Sequence, residues 1–193
     1  EQYEEEADLA FHEIGPLTVG NETIENSDLI RRRWLDNDYY VVNGTTTYTD
    51  RQLEFTSGLF YSHYSNDHFG EVIWSRFAGD SEIRDNYYFG NGTKTEFTAF
   101  IKATWILNGQ VSVFGDLQGR FVNYETSGLT SDKDNLLVDE NFNFFNPKTG
   151  ITFQLNDDQQ FYGSYGRAQR EPRRRDFENG ITNPEILDDF ELG

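Results

Sequence analysis

Residues 97–121 read FTAFIKATWILNGQVSVFGDLQGRF, and the order of these residues decides the fold. Phe97, Ala99, Ile101, Ala103, Trp105 and Leu107 take every second position, with Thr98, Lys102 and Thr104 between them. Past Asn108-Gly109 the alternation resumes, with Val111, Val113, Leu117 and Phe121 set against Ser112, Asp116, Gln118 and Arg120. Period 2 places each set on one face of a strand, so the stretch reads as a β-hairpin. Leu107 and Val111 belong on the same face, and a one-residue slip would reverse every side chain. The spacing therefore predicts a loop of about three or five residues, or a bulge, in place of a two-residue type I′ turn.

The same pattern runs outward in both directions. Leu53, Phe55, Leu59 and Tyr61 oppose Glu54, Thr56 and Ser62, and Ile151, Phe153 and Leu155 oppose Thr152 and Gln154. Strands are predicted over residues 31–48, 53–64, 86–107, 110–124, 141–155 and 161–170, with no helix beyond a single turn within 129–139. The connections at 49–52, 108–109 and 156–160 are tight, about four to five residues at most. Those at 65–85, at 125–141 and after Arg170 are long. Short turns at one end and long loops at the other mark an all-β chain of antiparallel up-and-down strands, part of a transmembrane β-barrel. Residues 1–28 are expected as an acidic extracellular loop, broken by Gly15-Pro16, and residues 29–193 as a partial barrel of about six strands plus the start of a seventh.

Composition narrows the partners. The 193 residues carry 34 acidic and 16 basic side chains, a net charge of −18, which argues against nucleic acid as a partner. Hydrophobic content is 36% but aromatic content 16%, a balance suited to a surface with aromatic girdles. There is no Cys, so no disulfide and no thiolate metal site. No apolar run approaches the roughly 20 residues of a membrane helix. The chain contains no Met and begins at Glu1; it is expected to be an interior piece of a longer protein, with Phe190-Glu191-Leu192-Gly193 opening a further strand.

Periodicity alone fits two architectures. In a soluble, acidic β-sandwich, for instance a carbohydrate-binding module, the apolar face would be core. In a barrel it meets lipid, and the polar face lines a lumen. Strand length favours the barrel, since the hairpin arms exceed the roughly 5–6 residues usual in soluble sheets. A passive porin is a third reading.

Four segments carry a resemblance to a known family. They are Asp67-His68-Phe69-Gly70-Glu71-Val72, Asn146-Pro147-Lys148-Thr149-Gly150, Arg170-Glu171-Pro172-Arg173-Arg174-Arg175-Asp176-Phe177, and the run from Asn183-Pro184-Glu185 through Ile186-Leu187-Asp188-Asp189-Phe190-Glu191-Leu192-Gly193. Together they resemble the C-terminal part of the barrel in TonB-dependent outer-membrane receptors, most like those of Bacteroidetes, over roughly residues 29–193 and most strongly after Phe142. The resemblance implies a barrel of about 22 strands, plugged by a domain of the same full-length chain. It implies a place in the outer membrane of a Gram-negative cell. It implies uptake of a scarce nutrient (an iron chelate such as a siderophore, cobalamin or a glycan) driven by TonB. No plug, TonB box or aromatic-ended terminal strand is found among these residues, so TonB would act through a missing N-terminal part.

Candidate residues follow from position. Lys102, Asp116, Arg120 and Arg170 fall on the polar face, where they would line the lumen and touch plug or ligand, or hold a polar wall. Phe69, Trp74 and Tyr124, in or beside the loops at 65–85, 125–141 and 173–183, are the expected aromatic ligand contacts. Arg31-Arg32-Arg33 and Arg173-Arg174-Arg175 suit lipopolysaccharide phosphates or local carboxylates. His63 and His68 flank Asp67 without a metal-ligand spacing, and no metal or other cofactor is expected. Asp36-Asn37-Asp38, Asp132-Lys133-Asp134 and Asp157-Asp158 lack the glycine and glutamate of a calcium loop and read as turn formers. The sequons at Asn21, Asn43 and Asn91 are incidental in a bacterial chain. No nucleophile and base stand at a readable spacing, so no catalytic residue is expected and the chain is not read as an enzyme.

Overall fold

The computed structural model describes residues 1–193. Strands are β1 (Gln2–Asp8), β2 (Leu17–Val19), β3 (Glu22–Ile24), β4 (Asn26–Thr49), β5 (Leu53–Ser75), β6 (Asn86–Ile106), β7 (Val111–Leu129), β8 (Asn135–Asn156), β9 (Gln159–Arg170) and β10 (Glu185–Leu192), with helix α1 (Arg174–Glu178) before the last. One sheet runs in the order β1-β4-β5-β6-β7-β8-β9-β10, and β2 pairs β3 separately. The sheet is open in this chain. The expected all-β meander is therefore present, and the five-residue α1 is a helix the alternation pattern did not reveal.

The tight turns share one device. Asp50 Oδ1 accepts the N–H of Gln52 at 2.7 Å and of Leu53 at 3.0 Å, and Asn108 Oδ1 accepts those of Gln110 at 2.8 Å and Val111 at 3.0 Å. Asn156 Oδ1 accepts from Asp158 at 3.0 Å. A short polar side chain thus closes each reversal by bonding to backbone two or three residues on. Leu107 N–H bonds Val111 O at 2.9 Å across three residues, as the faces required. The turn expected to be about five residues at 156–160 is tighter, because the register slips between Gln154 and Asn156 and absorbs a residue there.

The long loops are the main correction. β5 continues to Ser75, leaving 76–85 as connection, while β7 reaches Leu129 and β8 starts at Asn135, leaving 130–134. Asp36-Asn37-Asp38, expected as a turn, lies inside β4. Strands of 19 to 24 residues from β4 to β8 exceed the roughly 9–11 needed to cross hydrocarbon. Their ends remote from the tight turns carry apolar residues at both parities, as at Val72-Ile73-Trp74 on β5, Tyr87-Tyr88-Phe89 on β6 and Leu136-Leu137-Val138 on β8, so no period 2 announced them.

The chain divides into two compact units. The first comprises Glu1–Asp38, Ser65–Thr93 and Glu125–Val138. Its N-terminal segment, expected as a solvated loop, pairs β1 with β4 through a bulge between Glu4 and Ala7, and folds β2 on β3. Ala7, Leu9 and Ile14 join Leu29, Val72, Tyr87 and Tyr88 in a buried cluster. The acidic character of Glu4-Glu5-Glu6 hid this, since the apolar anchors follow it singly. Asp8 Oδ1 accepts the N–H groups of Ala10 and Phe11, and His12 Nδ1 lies 2.8 Å from Asp8 O. Burial pushes the His12 imidazole below its ordinary range, against the raising effect of that carbonyl and of Glu4.

The second unit comprises Tyr39–Tyr64, Lys94–Tyr124 and Asp139–Gly193. Its apolar face is bare: Trp105, Phe121 and Phe153 are 52%, 49% and 39% exposed, with no second sheet over them. In a sandwich these rings would be core, so the soluble-module reading fails on this face. The opposite face is evened by glycines: a Cβ on Gly58 would overlap the Phe100 ring, and one on Gly150 the Phe114 ring. Each aromatic lies over a glycine of the adjacent strand, filling its missing side chain.

Candidate functional site

The alternation that turns Phe97, Leu117 and Phe121 outward turns Lys94, Glu96, Thr98, Gln118 and Arg120 to the other face of the second unit, where they meet. Arg120 grips Glu96 with both forks, Nε to Oε1 and Nη2 to Oε2 at 2.7 Å each. It also bonds Glu171, Nη1 to Oε2 at 2.8 Å and Nη2 to Oε1 at 3.2 Å. Lys94 donates to Glu171, and Thr98 Oγ1 to Glu96 at 3.1 Å. The Arg120 guanidinium lies 5.8 Å from the Phe144 ring, and Asn146 beside it donates to Gln118 at 3.1 Å.

This network is charge-balanced, two cations against two carboxylates. Bidentate guanidinium–carboxylate pairs are strong and geometrically exacting. They offset the desolvation of Glu171, which is 7% exposed. Burial works to raise the Glu171 carboxyl, but the hydrogen bonds from Arg120 and Lys94 outweigh it and hold the group at about 2. A balanced network attracts no ion of its own. Its effect is to tie the segment beyond β9 onto the polar face.

The tie is reinforced downstream. Pro172 is buried, and the Phe177 ring stacks on Tyr124 at 5.4 Å and 9°. Asp176 Oδ2 accepts the Arg173 N–H at 2.8 Å, starting α1, and Arg174 Nε bonds Glu178 at 3.1 Å. Arg173 and Arg175 are exposed and form no ion pair.

The seven expected contact residues are divided between the two units, two in the first and five in the second. Arg120 sits at the centre of the network and Tyr124 under Phe177. Lys102 and Asp116 share the polar face but form no ion pair, and Arg170 bonds Glu185 at 2.5 Å on β10. Phe69 and Trp74 belong to the first unit: Phe69 stacks between Trp34 and Phe89 at 6.3 Å each, and Trp74 is exposed near the end of β5. Sequence reasoning missed Lys94, Glu96, Glu171 and Phe177. The parity of Lys102 extended six residues back reaches Glu96, which was legible; Glu171 was not, since 51 residues separate it from Arg120.

The other singled-out groups have local partners. Arg31 pairs Glu4 and bonds Tyr87, and Arg32 bonds Glu71 at 2.8 Å and lies over Trp34. That leaves Arg33 alone of its triplet without a partner, so the triplet is no free phosphate cradle. His63 bonds Thr95 at 2.9 Å, and His68 lies against Tyr88. A furrow of about 1030 Å³ beside Val42, Leu59, Phe97, Ala99 and Ile101 carries no charged side chain and offers no recognition chemistry.

Comparison with known families places these features. The family model described as TonB dependent receptor-like, beta-barrel matches residues 7–193, beginning inside the N-terminal segment that carries β1. No curated protein matches the chain.

Proposed function

Because the chain belongs to the family of TonB-dependent receptor-like β-barrels, we propose that it forms one side of the wall of an outer-membrane receptor that imports a scarce nutrient in a Gram-negative cell. The observation that carries this reading is the two-faced sheet of the second unit. One face is bare and apolar, as lipid requires, and the other is polar and internally paired, as a lumen requires. Energy comes from TonB acting on a plug domain, which packs against the polar face near Lys102 and Asp116. Lipid covers Leu117, Phe121 and Phe153, and lipopolysaccharide meets the outer rim. The nutrient is an iron chelate, cobalamin or a glycan, met by aromatic side chains: Tyr124 of the second unit or, in the first, the half-buried Phe69 and the exposed Trp74.

The test uses the protein expressed from its own gene in a Gram-negative host. The expected result is recovery in the outer-membrane fraction, a heat-modifiable band on electrophoresis, and nutrient-dependent growth lost on deletion of tonB. Recovery in the soluble fraction without detergent would overturn the reading.

A further inference from the structure

We propose that the loop tip at residues 10–13 is an acid-released latch: proton uptake by His12 turns the tip out of its socket, parts the Glu13–Lys133 bridge and frees the turn 130–134 between β7 and β8. The latch lies wholly within the first unit and stands apart from the receptor reading.

Three observations carry it. First, the base of the loop is fixed and its tip is held mainly by one residue. Leu9 O accepts the N–H groups of Ile14 at 2.9 Å and of Gly15 at 3.2 Å, and Leu9 and Ile14 are buried in the apolar cluster. Between them Ala10 and Glu13 are exposed and Phe11 is half-buried, so only His12, 5% exposed, is sealed in the fold. Second, the socket suits a neutral ring. Asp8 O, 2.8 Å from Nδ1, can only accept, so the ring's proton sits there. Nε2 is then a bare lone pair that no donor reaches, with Glu4 Oε2 3.5 Å away. Phe11 and Tyr87 of β6 enclose the ring at 5.1 and 4.8 Å. The charged groups around it are Glu4 on β1, Arg31 on β4, and Lys133 on the turn 130–134 with its partner Glu13. Around a neutral ring two cations face two carboxylates; a proton makes it three against two, in a site largely closed to water. Burial first, and then Arg31 and Lys133, keep the ring uncharged at neutral pH against the pull of Asp8 O and Glu4. Third, the same tip holds the neighbouring turn. Lys133 Nζ bonds Glu13 Oε1 at 2.7 Å and also Tyr87 O, and lies 5.6 Å from the Phe11 ring. Glu13 and Lys133 both have left-handed backbones, φ 60° and 68°, which side-chain-bearing residues adopt at a cost. Their bridge helps to hold both, so its parting lets both turns relax.

The test is amide exchange, read by mass spectrometry on the purified full-length protein in detergent from neutral pH down to about 5, with the intrinsic pH dependence of exchange removed. Protection of residues 10–13 and 130–134 should fall together below about pH 6.5, by up to about tenfold per pH unit, the limit for one proton. Residues 26–34 of β4 should stay level. His12→Asn, which keeps a donor for Asp8 O but takes up no proton, should abolish the fall. His12→Phe, which keeps the ring contacts without the proton site, should do the same. Lys133→Gln should loosen the turn 130–134 at every pH and flatten the dependence, since one cation opposing the charged ring is gone. The proposal is overturned if protection of residues 10–13 is level across the range, or if either His12 variant keeps the fall. It is equally overturned if β4 loses protection at the same pH, which would make the event a general unfolding of the unit, or if residues 130–134 do not respond with the tip.

Discussion

Glu171, one residue past the end of β9, shares two hydrogen bonds with Arg120 in the middle of β7, although 51 residues separate them in the chain. The pair is a clasp between a connecting segment and the wall, and its failure should loosen the segment without opening the sheet. Glu171→Gln is expected to cost about 1–3 kcal/mol locally, the range for a buried hydrogen bond to a charged group. Trypsin cleavage after Arg173, Arg174 and Arg175 in the folded receptor should accelerate by roughly tenfold or more. An unchanged cleavage rate would show that Phe177 alone holds the segment.

The same carboxylate sets an acid limit. Glu171 lies outside the spanning strands and is held at about 2, below its ordinary range near 4.5. Because the folded value is depressed, its contribution is complete above about 4.5 and is lost as pH falls from there toward about 2. Trypsin is of no use at such pH, so amide exchange across α1 is the measurement. Protection should stay level from neutral pH to about 5 and decline only below it, once the intrinsic pH dependence of exchange is removed.

His12 acts in a nearer range. Its folded value lies below 6.5, so the unfolded segment takes up a proton first as pH falls. The contribution is full above about 6.5 and is lost between there and the depressed folded value. The facing groups decide how steep the loss is. Glu4 lies 3.5 Å from Nε2 and favours the charged ring, while Arg31 and Lys133 oppose it. Imidazole NMR signals of the receptor should show one histidine titrating below 6.5, assigned by its disappearance in His12→Gln.

Gly58 offers a packing test. A valine there must displace Phe100, which occupies its side-chain space, at an expected cost of about 1–3 kcal/mol. Gly58→Val should lower the heat-modification midpoint, and Gly58→Val/Phe100→Ala should recover part of it. If the double variant is no better than the sum of the two single ones, the ring and the glycine are not coupled.

Leu117 tests which solvent the bare face meets. It is exposed among the apolar set of β7, and Leu117→Arg should destabilise insertion by about 2–4 kcal/mol if it lies near the bilayer midplane. Asp116→Arg, on the other face at a position without an ion pair, should be tolerated. Equal tolerance of both in lipid refolding assays would contradict the assignment of faces.

The fold was legible where lipid made it so. Residues such as Phe97, Ile101 and Leu117 alternate with polar neighbours because one side of the sheet meets hydrocarbon, and that contrast is the whole signal. It fades along Ser65–Ser75 of β5 and Asn135–Asn141 of β8, where apolar residues fall at both parities (Val72, Ile73 and Trp74; Leu136, Leu137 and Val138) and no alternation marks the strand. β1 was hidden for a related reason, since three adjacent glutamates mask the single anchors Ala7 and Leu9. Of the site, Arg120 was readable from its parity. Glu171 and Phe177 were not, because their partners come from a distant strand and their helix has only five residues, too few for a periodic pattern.

The rings of Phe100 and Phe114 lie where side chains of Gly58 and Gly150 would otherwise stand. Bulk that would project as knobs from the polar face is folded flat against it. In the proposed receptor, a cargo or a stopper passing over that face would find little to snag on.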